Sequence, residues 1–411
     1  MIKNELKNTL IFVFQALSFN FRYNENMTTQ KISTFLILIV FIIFISLGLP
    51  DSVMGSAWPA IRQTYSFPID MIGILGAIQL GFSFCSTIIY PKLAKIWTMD
   101  KFIIFSTLLT ILGLATLGLG NTFFPMLLSC ILLGFGQGSV DITVNDFAAK
   151  HFSNSLMNFL HAFYGVGVMA SSFIVAFSLQ PHRSWQLGVA IISFLQILIL
   201  ILAILTRSKF KEKAVLTSDN MLKDAESKLN FSHFILPLFY FFYALELLIG
   251  RFYSSFAVEH LHFSMAASAA ITSFYWTGLT IGRFMTGFTA RWFSTQTIIL
   301  FHLSLLIFGI ILGFIPQIFI QYLSGTLLGL GLAPLYPMGM KQTYNKYSDS
   351  IAKQVISLNI AFATIGMFII PIPLGWIFEQ FGFVSYPFII GGFGIILSGL
   401  CWKIYTKVIK K

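Results

Sequence analysis

The run RSKFKEKAVLTSDNMLKDAESKLNFS, residues 207–232, is the longest polar stretch between Ser33 and Trp402, and it holds six of the chain's 26 Lys and Arg. Six apolar stretches precede it, at 33–57, 71–90, 102–119, 126–147, 156–179 and 185–205. Six more follow, at 234–257, 266–288, 297–314, 319–339, 352–378 and 384–402. Each is close to the roughly 20 apolar residues that carry a helix across bilayer hydrocarbon. Only 10% of the 411 residues are charged and 56% are hydrophobic, whereas a soluble domain is about 25% charged. No soluble core hides that much apolar surface, and the alternation of a membrane barrel is absent, so the spans read as helices.

Charge sets the sidedness. The N-terminal segment, the even-numbered loops and the C-terminal tail hold 22 of the 26 Lys and Arg; Arg62 and Arg183 lie on the other side, and Arg251 and Arg283 lie within spans. By the positive-inside rule both termini are expected in the cytoplasm, and an odd number of spans would destroy the asymmetry. The net charge of +11 is therefore a topology signal, and no nucleic-acid partner is expected. The chain divides into a cytoplasmic segment 1–32, a bundle 33–206, a linker 207–232, a second bundle 233–404 and a tail 405–411. Residues 10–19 are apolar but too short to span, and Met27 begins a short lead, MTTQK. The expectation there is a true start at Met27 or an interfacial segment rather than a cleaved signal. Cys85, Cys130 and Cys401 lie in apolar stretches without metal-ligand spacing, so neither disulfides nor metal is expected.

The halves echo one another. LLGFG at 132–136 returns as LLGLG at 327–331, and NFLHAFYGVG from Asn158 is answered by NIAFATIG from Asn359. Parallel six-helix repeats are one way to build an alternating-access carrier with its site near the membrane midplane.

Local motifs narrow the class. The first span carries GLPDSVMGSAWP (48–59), the fourth GFGQGSVDITVNDF (134–147), the seventh ELLIG (246–250), the eighth SFYWTGLTIGRFMTG (273–287) and the tenth GLGLAPLYP (329–337). In this order the chain from Ser33 onward resembles the fucose-permease-like branch of the major facilitator superfamily. The resemblance implies an all-α integral membrane protein, its twelve transmembrane helices set in two pseudo-symmetric bundles of six. Two departures stand out: YPKLAKIWTMDK (90–101) replaces a Gly- and Arg-rich loop signature, and Arg251 with Phe252 occupies the place where relatives often carry Trp.

An ionisable group within hydrocarbon costs about 2.5–3.5 kcal/mol on insertion scales, so each one is a functional candidate. These are Asp51, Asp141, Asp146, Glu246, Arg251 and Arg283. A carboxyl group taken out of water can load and release a proton during a transport cycle. Asp141 is the first candidate for that role, and Asn145, one turn on, shares its helix face. The resemblance implies the same for Asp141 and makes Asp51 a second coupling acid; the alternatives are a structural acid at Asp141 and a hydrated one at Asp51. His161 and Tyr164 fall where the branch places two cavity-lining amides and are expected to line the cavity, as is Glu246. Tyr275 and Trp276 could stack on a sugar or simply pack. Asp146, within reach of Lys92 or Lys95, and Arg283 are expected to act as latches of one access state.

These residues point to a secondary transporter of the cytoplasmic or inner membrane, expected to be monomeric, that takes up a sugar or related small polar solute with a cation. The proton is the expected ion and sodium the alternative, with no cofactor. The competing readings are an exporter of drugs or metabolites and a non-transporting sensor. An enzyme is the least expected reading, since the chain shows no nucleophile–base or metal-ligand arrangement and no appended soluble domain large enough to hold a site.

Overall fold

A computed structural model describes residues 33–120, 122–152, 154–211 and 229–406. The N-terminal segment 1–32, most of the linker and the last five residues of the tail lie outside the described residues. From Phe35 onward the chain is one compact unit.

All the described regular structure is helical, and twelve spans can be traced. Span 1 is Thr34–Gly48 with Val53–Tyr65; span 2 is Met71–Leu93; span 3 is Met99–Leu119. Span 4 is Phe123–His151, span 5 Asn154–Ser178 and span 6 Trp185–Thr206. Span 7 is Ile235–Phe242 with Leu245–Glu259, and span 8 is Met265–Thr289. Span 9 is Thr295–Leu312, span 10 is Ile318–Leu332 with Leu335–Lys346, span 11 is Asp349–Ile369 with Pro371–Phe381, and span 12 is Tyr386–Thr406. Among the described residues eleven helical segments are long and apolar enough to cross a membrane. Span 8 falls outside that set, although it runs 25 residues, because it is an inward-facing helix that carries Arg283 and buries Ser268, Thr272, Ser273 and Thr280. A helix sheltered by neighbours needs less apolar surface than one facing lipid.

The helices run several residues beyond the apolar stretches at many ends, since a helix continues past the hydrocarbon wherever caps and packing allow. Four spans are broken inside, and proline explains three. Pro50 has no N–H, so the carbonyl of Ser46 loses its helical partner; Gln196 of span 6 donates its Nε2 to that carbonyl at 2.6 Å. Pro334 frees the carbonyl of Leu330 in the same way. His302 of span 9 lies against that oxygen at 2.5 Å through Nδ1, and since a carbonyl only accepts, Nδ1 bears the hydrogen. Breaks of this kind survive in a membrane because neighbouring helices re-satisfy the freed backbone. Pro371 marks the third break. Span 7 breaks at Tyr243–Ala244 without a proline.

Glycines set the closest helix approaches. Gly329 of span 10 lies against span 8 so tightly that an added Cβ would sit 2.5 Å from the amide nitrogen of Leu279, and one at Gly278 would sit 2.9 Å from the carbonyl carbon of Thr326. Backbone meets backbone there, and no side chain can yield. Gly278→Leu is expected to separate these spans at a cost of about 1–3 kcal/mol or more, read as loss of the monodisperse peak in detergent size-exclusion chromatography. An unchanged peak and melting temperature would contradict this packing.

The halves meet at the end opposite the linker. Arg62, at the end of span 1, pairs with Glu259, at the end of span 7, at 2.5 Å. The backbone N–H of Ile69 donates to Glu379 of span 11 at 2.5 Å. Gly73 of span 2 abuts Pro371, and Gly55 of span 1 abuts Gly250 and Arg251. Spans 5 and 8 also meet, through Gly165 against Thr280 and through the rings of Phe159 and Phe284, whose centroids are 6.0 Å apart.

Candidate functional site

The break in span 1 places the first acid. Helix ends at Gly48 because Pro50 cannot continue it, and Asp51 sits in the short non-helical link before Val53. Gly48 lets this link lie against span 5; a Cβ there would come 2.8 Å from the amide nitrogen of Val168. That approach brings Tyr164 to Asp51, and its hydroxyl donates to Oδ2. From span 4, Gln137 donates its Nε2 to Oδ1 at 2.5 Å. The Oε1 of Gln137 in turn accepts from Gln79 of span 2 at 2.6 Å. Asp51 thus ends a chain of amides and is held by spans 1, 4 and 5.

Span 4 brings the second acid. Gln137, Asp141 and Asn145 are four residues apart, so they form one stripe along the helix. Asn145 donates its Nδ2 to Asp141 at 2.8 Å, and Asp141 lies within charge–charge range of Asp51. Asp51, Asp141 and His161 are all exposed, although Asp51 is hydrogen-bonded by two neighbouring helices of its own bundle, spans 4 and 5. Their exposure is therefore to a space between helices. His161 meets Phe44 edge-on, with ring centroids 5.5 Å apart.

From the second half, Glu246 opens the helix after the break in span 7. Both of its carboxylate oxygens accept from Nη2 of Arg283, each at 3.1 Å, and Tyr243 donates its hydroxyl to the same group. Both side chains of the ion pair are largely sheltered, at 15% and 12% exposure. Arg283 lies near His161 and Tyr164 of span 5, so the pair borders the first half.

The placements sort the sequence-predicted residues. Asp51, Asp141, Asn145, His161, Tyr164 and Glu246 come together around the space between the halves. Arg283 joins them as the partner of Glu246, a different position from a latch at the end of span 8. Tyr275 is fully buried and donates its hydroxyl to the backbone carbonyl of Glu246 at 2.8 Å. Trp276 is 6% exposed and packs on Gly250. Both therefore stand behind Glu246 as supports rather than as an open platform. Asp146 accepts from Tyr90 of span 2 at 3.2 Å. Two residues were missed, Gln137 and Gln79. Gln137 was legible from its spacing, one turn before Asp141; Gln79 had no such signal. Among the described residues no three His, Cys, Asp or Glu gather as a metal site.

The architecture around this site, two six-helix halves, agrees with what comparison with known proteins finds. The family model of the Major Facilitator Superfamily matches residues 36–319. The glucose/mannose transporter GlcP of Bacillus subtilis (strain 168) is 24% identical over 380 residues, covering 88% of this chain and 92% of that protein. "Bypass of stop codon protein 6" of Saccharomyces cerevisiae is 23% identical over 432 residues, covering 94% and 86%. Among solved structures, a D-xylose-proton symporter superposes with a TM-score of 0.71 at 12% identity, covering 90% of this chain and 97% of that one. The nucleoside transporter NupG gives 0.66 at 14% identity, covering 90% and 98%. With this fold and this match over most of its length, the chain belongs to the Major Facilitator Superfamily: it is a multi-pass membrane transporter, not an enzyme.

Proposed function

We propose that the protein takes up a neutral sugar or related polyol together with a proton, by rocking of its two six-helix halves about the Asp51–Asp141 site. The observation that carries this reading is the placement of two carboxyl groups, on spans 1 and 4, within charge range of each other and open to the space between the halves. Carboxyl groups so placed can exchange a proton with water that enters from one side at a time. The neutral donors and acceptors beside them, Gln137, Asn145, His161 and Tyr164, suit hydroxyl groups, which both donate and accept. The likeness to a protein named a glucose/mannose transporter supports the same substrate class.

The halves are joined at the end that carries Arg62 and Glu259, opposite the linker. With the basic loops in the cytoplasm, this conformation is closed toward the outside, and the acids are reached from the inside. The same sidedness supports cytoplasmic termini, and the reading takes the protein as a monomer of the cytoplasmic or inner membrane.

The test is uptake of labelled glucose, mannose and fucose into proteoliposomes under an imposed pH gradient, with a sodium gradient as the alternative drive. Accumulation of a hexose driven by the pH gradient and collapsed by a protonophore is the expected result. Drive by sodium alone would reassign the ion. No hexose flux in correctly reconstituted protein would remove the sugar assignment and favour the exporter.

A further inference from the structure

Arg251 has no place in the site described above, and its surroundings are unusual. It stands on span 7, in the second half, one residue after Gly250. Its guanidinium lies on the bare backbone of Gly76 in span 2, in the first half, where a Cβ would overlap Cζ and both terminal nitrogens. Its Nη1 is buried without a hydrogen-bond partner. A guanidinium has five donors and cannot give up its charge, so leaving one donor unmet in a sheltered seam is costly. The titratable groups near it are the neutral thiol of Cys130 on span 4 and the carboxyl of Asp51 on span 1, and Gly55, one turn after Asp51, lies against the backbone of Arg251. Asp51 is faced in turn by Gln137 and Asp141 of span 4 and Tyr164 of span 5. Among the described residues, Asp51 is therefore the carboxylate placed to offset the burial of this cation.

The seam that Arg251 enters is the one that closes the end opposite the linker, beside the contact of Gly55 with Gly250. We propose that Arg251 is a coupling residue that acts through Asp51: closure of this end inserts the guanidinium into the first half, and the negative charge of Asp51 holds it there. A proton arriving on Asp51 removes that charge and loosens the closed end. The sign follows directly: the closed end is favoured at higher pH, where Asp51 is charged, and opens as pH falls. This rests on the reading of Asp51 as a coupling acid, but its test needs no substrate.

Nitroxide labels on cysteines introduced at Gln63, in the last turn of span 1, and His262, just beyond span 7, both exposed positions, report the width of this end by double electron–electron resonance. The full chain is used in lipid nanodiscs with Cys85, Cys130 and Cys401 replaced by Ala. In this parent the closed-to-open ratio is expected to fall by about tenfold from about pH 8 to about pH 5, within the usual range of coupling between two sites. Arg251→Gln is expected to shift the distances to the open population and to abolish the pH response, and Arg251→Lys to restore both in part. Gly76→Val, which leaves Arg251 intact but blocks its seat, guards against a folding defect in Arg251→Gln and is also expected to open this end. A parent without pH response, or Arg251→Gln distributions that match the parent at every pH, would overturn the proposal. A pH response in a protein that moves no sugar would sink the sugar reading and leave this one standing.

Discussion

Asp141→Asn is expected to cut gradient-driven hexose accumulation by about 100-fold or more, the lower range of what a positioned proton-transfer group contributes. The substitution is well suited to isolate chemistry from stability. Asp141 accepts a hydrogen bond from Asn145 on its own helix, and an amide keeps both the shape and one carbonyl oxygen to accept it. Span 4 should therefore stay packed while the site loses a group that can be charged. Exchange of labelled for unlabelled sugar without a gradient is expected to survive, because it needs binding and reorientation but no net proton movement. Equal loss of exchange and accumulation would reassign Asp141 to binding or structure. Full retention of accumulation would leave Asp51 as the sole coupling acid.

The second large effect is expected at Glu246 and Arg283. Arg283→Met strips the bidentate partner from Glu246 and leaves a sheltered carboxylate with Tyr243 alone. Removing one member of a buried pair typically costs about 3–5 kcal/mol, so the variant should lose most of its folded fraction in detergent, read as a large drop in melting temperature. Glu246→Gln with Arg283→Met leaves no uncompensated charge and is expected to recover most of that stability. Transport should not recover in the double variant if the pair also faces substrate between the halves. Equal melting temperatures for the single and double variants would mean that the pair does not stabilise the fold.

Much of the site was readable from the chain because intramembrane charge is rare. Asp51, Asp141 and Glu246 stood out against apolar surroundings, and the four-residue spacing placed Asn145 on the face of Asp141. Gln137 obeyed the same spacing but is uncharged, and nothing in composition distinguishes a cavity amide from one that repairs a helix break, as Gln196 does for Ser46. Tyr275 and Trp276 show the reverse: aromatic residues beside a polar helix suggest a binding platform, yet packing against Glu246 and Gly250 buries them. The pairing of Arg283 with Glu246 joins residues 37 positions apart, a relation that helical periodicity does not encode.

The sequence by itself determined that the chain is an all-helical membrane protein with a six-plus-six division, because lipid demands long apolar helices and the charged residues can gather only between them. Only the tertiary structure decided which charges meet. Asp51 with Gln137 and Tyr164, Glu246 with Arg283, and Arg251 over Gly76 all depend on how separate helices are rotated and staggered. Those angles follow from close packing at glycine contacts spread along the whole chain, so no local pattern carries them.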